Sequence, residues 1–190
     1  MTTSPTTRTL AALDSRLSVP TRQLEAPGPD HDTLLRILRS AVRVPDHGKR
    51  VPFRFLRIAG DDRKALADAT IARLLQRESR PAEGAIEKLR NRLTLPPLTI
   101  AVIARLGEDE KIPVSERQAT ASCVCLLLLQ AAQALGFGAQ WLTGWPAYDR
   151  PLLERTLGLA PDEQLAGTIA MGTPQVEVPD RERPDPASLL

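Results

Sequence analysis

With two cysteines and two histidines, this 190-residue chain is poor in the residues that build metal centres and covalent catalysts. Cys123 and Cys125 lie two apart in an apolar stretch, with no second pair and no neighbouring histidine to complete a zinc site. They read as buried small apolar residues, and a disulfide framework is excluded. His31 and His47 alone leave a Ser-His-Asp triad or a histidine metal cluster with few possible members. There is no Gly-x-Gly-x-x-Gly turn, no P-loop and no His-Glu-x-x-His pair; Gly136-Phe137-Gly138 is a lone fragment. The longest apolar run, Cys123 to Leu129, is interrupted by Gln130 and Gln133, well short of the roughly 20 residues that cross a bilayer. No charged segment followed by an apolar core opens the chain, so a cytoplasmic location is expected, with no membrane partner. A net charge of +2 gives no basis for a nucleic-acid surface. Arg outnumbers Lys, which is compatible with phosphate or carboxylate recognition and equally with a GC-rich genome.

What remains is the pattern of a single domain. Residues 1–12 are rich in Thr, Ser and Ala and predict a frayed, flexible lead-in, with structure beginning near Leu13. Asp32 or Thr33 caps a helix carrying Leu34, Ile37, Leu38 and Ala41 at helical spacing, which Pro45 stops. Pro52 to Ile58 reads as a strand. Asp61-Asp62 caps a second helix to about Gln76, and a shorter amphipathic stretch follows Pro81. Leu98 to Ala104, dense in β-branched residues, predicts a strand buried on both faces. Ser115 to Leu135 is the longest helical pattern, apolar nearly all round and closed by Gly136. Such a helix must be surrounded, and in a chain this small a second subunit is the favoured cover. A strand over 138–144, a short helix over 151–157 and a strand over 165–171 complete an α+β order. A proline-rich tail follows, set apart as residues 179–190 beyond a domain over 13–178.

His47 is the one histidine suited to a site. Arg43 precedes it by four residues and Pro45 shapes the turn between them, so a cation and an imidazole face one anionic or aromatic ligand. Three separated motifs extend this: Arg43-Val44-Pro45-Asp46-His47-Gly48-Lys49 followed by Pro52-Phe53-Arg54-Phe55, then Gly136 through Gly144, then Gly172-Thr173-Pro174. In that order, from about Leu13 to the tail, the chain resembles the small single-domain, YdjA-type members of the nitroreductase family.

That resemblance implies a nitroreductase-like α+β sandwich, its central mixed or antiparallel sheet flanked by helices. It implies an obligate homodimer in which two FMN sites are shared between subunits. The expected activity is an FMN-dependent oxidoreductase, passing electrons from NADH or NADPH to nitroaromatics, quinones or related small-molecule acceptors by a ping-pong mechanism with no catalytic side chain. The family's Arg-Arg-Ser falls on Arg16, Leu17 and Ser18, so Leu17 leaves one donor missing and Arg22 is a candidate substitute. Arg43 and His47 match the pair reaching FMN from the other subunit, and Trp141, Leu142 and Thr143 match the strand along the isoalloxazine. Ala131, Ala132, Gln133, Ala134, Leu135 and Gly136 match the segment assigned to the nicotinamide nucleotide. Thr120-Ala121-Ser122 stands where Ser-Ala-Gly is usual, a small-for-small change. The tail arginines Arg181 and Arg183 are weighed as phosphate contacts against solvated charge, and 73–91 as a lid over the acceptor. A rival reading is a non-catalytic protein of the same fold that stores or senses flavin, as Leu17 permits. A weaker one is an interaction module docking through its tail.

Overall fold

A computed structural model describes residues 5–190, apart from the side chains of Pro5 and Arg8. Helix α1 (Pro5–Asp14) begins well before Leu13, correcting the expected lead-in; residues 1–4 of that segment lie outside the described residues. Its composition is weakly helical, but helices in proteins are stabilised mostly by packing. Here Thr9, Ala12 and Leu13 face Leu127 and Ala131 across a groove.

Helix α2 (His31–Ala41) is capped by Asp30 rather than Asp32 or Thr33. The Asp30 carboxylate accepts the Thr33 N–H at 2.8 Å, satisfying an orphan donor of the first turn. Strand β1 (Leu24–Glu25) precedes it and strand β2 (Phe53–Ala59) follows. Helix α3 (Asp61–Arg77) has Gly60 at its cap, with Asp61 and Asp62 inside the first turn, where acidic groups favour the helix dipole. Helix α4 (Ala85–Thr94) leads into strand β3 (Leu98–Arg105), buried along its length up to the exposed Arg105. Helix α5 (Val114–Ala134), strand β4 (Gly138–Leu142), helix α6 (Arg150–Leu157) and strand β5 (Glu163–Pro174) complete the order.

Every strand pair is antiparallel, which resolves the mixed-or-antiparallel expectation. The order is β1-β5-β3-β2, and β4 also pairs with β5. The period-two geometry of β3 divides the core. Ile100, Val102 and Ala104 pack with Leu34 and Ile37 of α2 and Val124 and Leu128 of α5. Ala101 and Ile103 turn the other way, onto Leu153 and Leu157 of α6.

Although α5 is apolar nearly all round, the chain itself covers only part of it. Val124, Cys125, Leu128 and Ala132 are buried, whereas Ala119, Cys123 and Leu126 form an exposed stripe. Cys123 is therefore exposed, correcting the expectation that both cysteines are buried; a shift of two positions turns a helical side chain just over half a revolution, to the opposite face. Gly136 (φ 84°) follows the helix, in the left-handed conformation that a terminating glycine provides. No helix among the described residues is long and apolar enough to cross a membrane. In the tail, Val178 packs beside Val19, Leu24 and Leu142, while Pro186–Leu189 forms one short turn of 3-10 helix.

Candidate functional site

The segment carrying Arg16, Leu17 and Ser18 is fastened to the C-terminal end of α5. Gln133 Oε1 accepts the Leu17 N–H at 3.0 Å, and Gln133 Nε2 donates to the Ser15 carbonyl at 2.6 Å. The chain then reaches β4, where the Val19 N–H donates to the Ala139 carbonyl at 2.9 Å and the Thr21 N–H to Gln140 Oε1 at 3.0 Å. Arg16 and Ser18 are thus held beside the strand carrying Trp141 and Leu142. Arg16 Nη1 donates to Ser18 Oγ at 3.3 Å, so guanidinium and hydroxyl already converge.

On β4 the side chains part. Trp141 turns to the α5 side of the sheet, where its indole lies across Gly167 and Nε1 donates to the Ala166 carbonyl at 3.3 Å. Leu142 turns to the opposite side, beside Val19, Leu24 and Ala170. Thr143 is exposed, and Gly144 (φ 100°) lets the chain leave the strand in a conformation that L side chains disfavour.

Helix α4, the amphipathic stretch expected after Pro81, completes this end with a residue the motifs did not single out. Arg92 of α4 donates from Nη2 to the Thr143 carbonyl at 2.9 Å, and burial lowers the pKa of its guanidinium. Arg92 shares a concave surface with Arg22, Lys88, Asn91, Gln140 and Leu142. Lys88, Asn91 and Arg92 follow the i, i+3, i+4 spacing of one helix face, and that amphipathic pattern was the available signal.

Arg43 and His47 lie elsewhere. They leave the end of α2 in a loop that meets the N-terminal end of α5: Thr120 Oγ1 donates to the Pro45 carbonyl at 3.1 Å, and His47 Nδ1 is 2.7 Å from Glu116 Oε2. Both Arg43 and His47 are exposed. Asp46 shapes the loop, its carboxylate accepting the N–H groups of Arg50 at 3.1 Å and Val51 at 2.8 Å. Gly48, Lys49 and Val51 all adopt positive φ, and for β-branched Val51 (φ 47°) that is a strained conformation.

The two candidate sets thus sit at opposite ends of one rigid helix. Glu116 and Gln133 are 17 residues apart in α5, about 25 Å along its axis at about 1.5 Å per residue. Within one chain Arg16 and Ser18 do not meet Arg43 and His47. Of 131–136, Ala132 is buried, the Gln133 amide is engaged by residues 15–17, and Ala134, Leu135 and Gly136 are exposed. Arg183 of the tail donates to the Arg16 carbonyl at 3.5 Å and pairs with Asp180. Among the described residues no group of three metal-ligating side chains forms a site.

This architecture and its motifs define the class: the nitroreductase family model matches residues 13–173, and the chain belongs to that family. Among its relatives, "Putative NAD(P)H nitroreductase YdjA" of Escherichia coli (strain K12) is 31% identical over 169 residues, covering 88% of this chain and 91% of the relative. A solved nitroreductase-like family protein from Bacillus cereus superposes with a TM-score of 0.80 at 23% identity, covering 100% of this chain and 96% of the other. A putative nitroreductase from Desulfovibrio desulfuricans, solved in complex with FMN, superposes with a TM-score of 0.73 at 24% identity, covering 100% of this chain and 96% of the other.

Proposed function

We propose that the chain is an FMN-dependent NAD(P)H oxidoreductase that works as a homodimer, each of its two flavin sites assembled from both subunits. The observation that carries this reading is the separation of the two donor sets by the length of α5. A copy related by a two-fold axis perpendicular to α5, packed on the exposed stripe of Ala119, Cys123 and Leu126, runs its own α5 the opposite way, which brings its Arg43 and His47 to the Arg16 end. That arrangement also covers an apolar helix face that a single chain leaves in water.

The donor set fits a flavin mononucleotide. Arg16 supplies a guanidinium and Ser18 a hydroxyl for a phosphate and its ribityl chain. Leu17 gives neither its side chain nor its N–H, the latter being held by Gln133, so the site relies on fewer donors than the family pattern. Arg92, bonded to the Thr143 carbonyl, places a cation at the end of β4, suited to the electron-rich edge of a flavin ring. Trp141, engaged on the far side of the sheet, acts by holding β4 in place. FMN, when bound, supplies the hydride chemistry, taking a hydride from NADH or NADPH and passing electrons to nitroaromatic, quinone or related acceptors. The protein's part is to bind, orient and limit access, and reductant and acceptor take turns at one open face. Contact with the reductant then rests on Ala134, Leu135 and Gly136 of the 131–136 segment.

The test is a titration of the purified protein with FMN followed by steady-state kinetics with NADH, NADPH and a quinone. A bound-flavin spectrum and parallel double-reciprocal lines are expected. A protein that takes up no flavin overturns the reading. Flavin uptake without turnover favours the second reading, a flavin-storing or flavin-sensing protein, for which Leu17 is the specific observation.

A further inference from the structure

Among the described residues, three charged side chains are more than nine-tenths buried: Asp149, Glu163 and Arg117, at 4%, 6% and 7% exposure. The first two are closed by opposite charge. Asp149 is 2.9 Å from both Arg73 and Arg77, and Glu163 is 2.7 Å from Arg54. Arg117 has no carboxylate partner among the described residues. Its side chain donates from Nη1 to the Gly107 carbonyl at 2.6 Å, and its Nε is buried without an acceptor. A buried cation without a counter-charge is costly, and native structures almost always supply one.

Arg117 lines a surface pocket with Arg50, Arg105, Glu108 and Asp109, walled by the strained Val51. Asp109 is not free to neutralise it. One carboxylate oxygen accepts the N–H groups of Ile112 and Lys111 at 2.9 Å each and the other accepts Arg50 Nε at 2.7 Å. Glu108 forms no ion pair among the described residues. Arg105 is 55% exposed and reaches Glu163 only at 3.8 Å, which leaves its guanidinium available. The first turn of α5, which begins at Val114, adds the positive end of a helix dipole to the same place.

We propose that this pocket binds a phosphate-type oxyanion between the guanidinium groups of Arg105 and Arg117. A carboxylate spends both oxygens on a single guanidinium fork, whereas a tetrahedral oxyanion has enough to engage two guanidiniums lying in different planes. The source is either inorganic phosphate or the phosphate of a nucleotide.

Isothermal titration of inorganic phosphate into the purified protein at constant ionic strength tests this, with wild type, Arg105→Ala and Arg117→Met compared. Saturable binding to wild type is expected, weakened about tenfold or more in each variant. Arg105→Ala, an exposed substitution, decides the matter should Arg117→Met fail to fold. A parallel titration with adenosine 2′-phosphate separates the sources: tighter binding than inorganic phosphate, equally sensitive to Arg105→Ala, identifies a nucleotide, and equal or weaker binding identifies the free ion. No saturable binding of either probe, or binding that Arg105→Ala leaves unchanged, overturns the proposal.

Discussion

Gln133 and Leu17 are joined across 116 positions of sequence, the side-chain amide oxygen of one accepting the backbone N–H of the other at 3.0 Å. The same amide group donates to the Ser15 carbonyl, so one side chain ties down the whole segment that carries Arg16 and Ser18. Gln133→Ala removes both bonds at once. A stability loss of about 1–2 kcal/mol is expected by chemical denaturation, because the freed Leu17 N–H is part-buried while the Ser15 carbonyl turns to water. Weaker FMN uptake in a flavin titration should accompany it, since Arg16 and Ser18 lose their fixed position.

Gly167 and Trp141 form a second obligate pair. A Cβ at residue 167 meets the indole nitrogen and its neighbouring ring carbons, and a rigid indole wedged against the sheet has little room to yield. Gly167→Ala should cost about 1–3 kcal/mol, seen as a lowered Tm. Adding Trp141→Val should recover part of that loss, which a simple strand-propensity effect of alanine would not allow.

Acid sensitivity traces to Glu163. Its hydrogen bonds from the Arg54 guanidinium, together with the Ala160 N–H, outweigh burial and lower its pKa to about 2 from an ordinary 4.5. A depressed carboxyl contributes stability that is complete above its unfolded pKa and disappears as pH falls through the folded one. The protein should therefore lose up to about 3 kcal/mol between about pH 4.5 and 2 from this group. In Glu163→Gln that portion of the slope should be missing from stability measured against pH.

The thiols separate by environment. Burial pushes Cys125 up to about 12, so it should resist a maleimide or an aromatic disulfide until the chain unfolds. Cys123 lies exposed on the outward stripe of α5. It should react in dilute protein and become protected as concentration rises, because the proposed second copy covers that stripe. Labelling that is equally fast at all concentrations would place the dimer contact elsewhere.

The parts of the fold legible in the sequence were those with strong periodicity. Leu98 to Ala104 declared a strand buried on both faces, and the all-round apolar pattern before Gly136 declared α5. Short or context-held elements were not legible. Leu24–Glu25 is a strand only because β5 passes beside it, and α1 exists through its packing on α5. At the candidate site, Arg43, His47 and the 141–143 strand emerged from motif order. Arg92 did not: the polar face it shares with Lys88 and Asn91 was readable, but that this face meets the end of β4 depends on α4 folding back, a long-range contact that helical spacing does not encode. Gln133 illustrates the same limit: its place in a nucleotide-linked motif gave no hint that its amide is already engaged by residues 15–17.

The length of α5 has a genetic consequence. Because each proposed site draws Arg16 from one chain and His47 from the other, two crippled versions of the protein should rescue each other. Coexpressed Arg16→Ala and His47→Ala chains form mixed pairs in which one pocket carries both lesions and its twin carries neither. Half of the sites in such a mixed pair are wild type in composition, a behaviour closed to any enzyme whose pocket lies within a single chain.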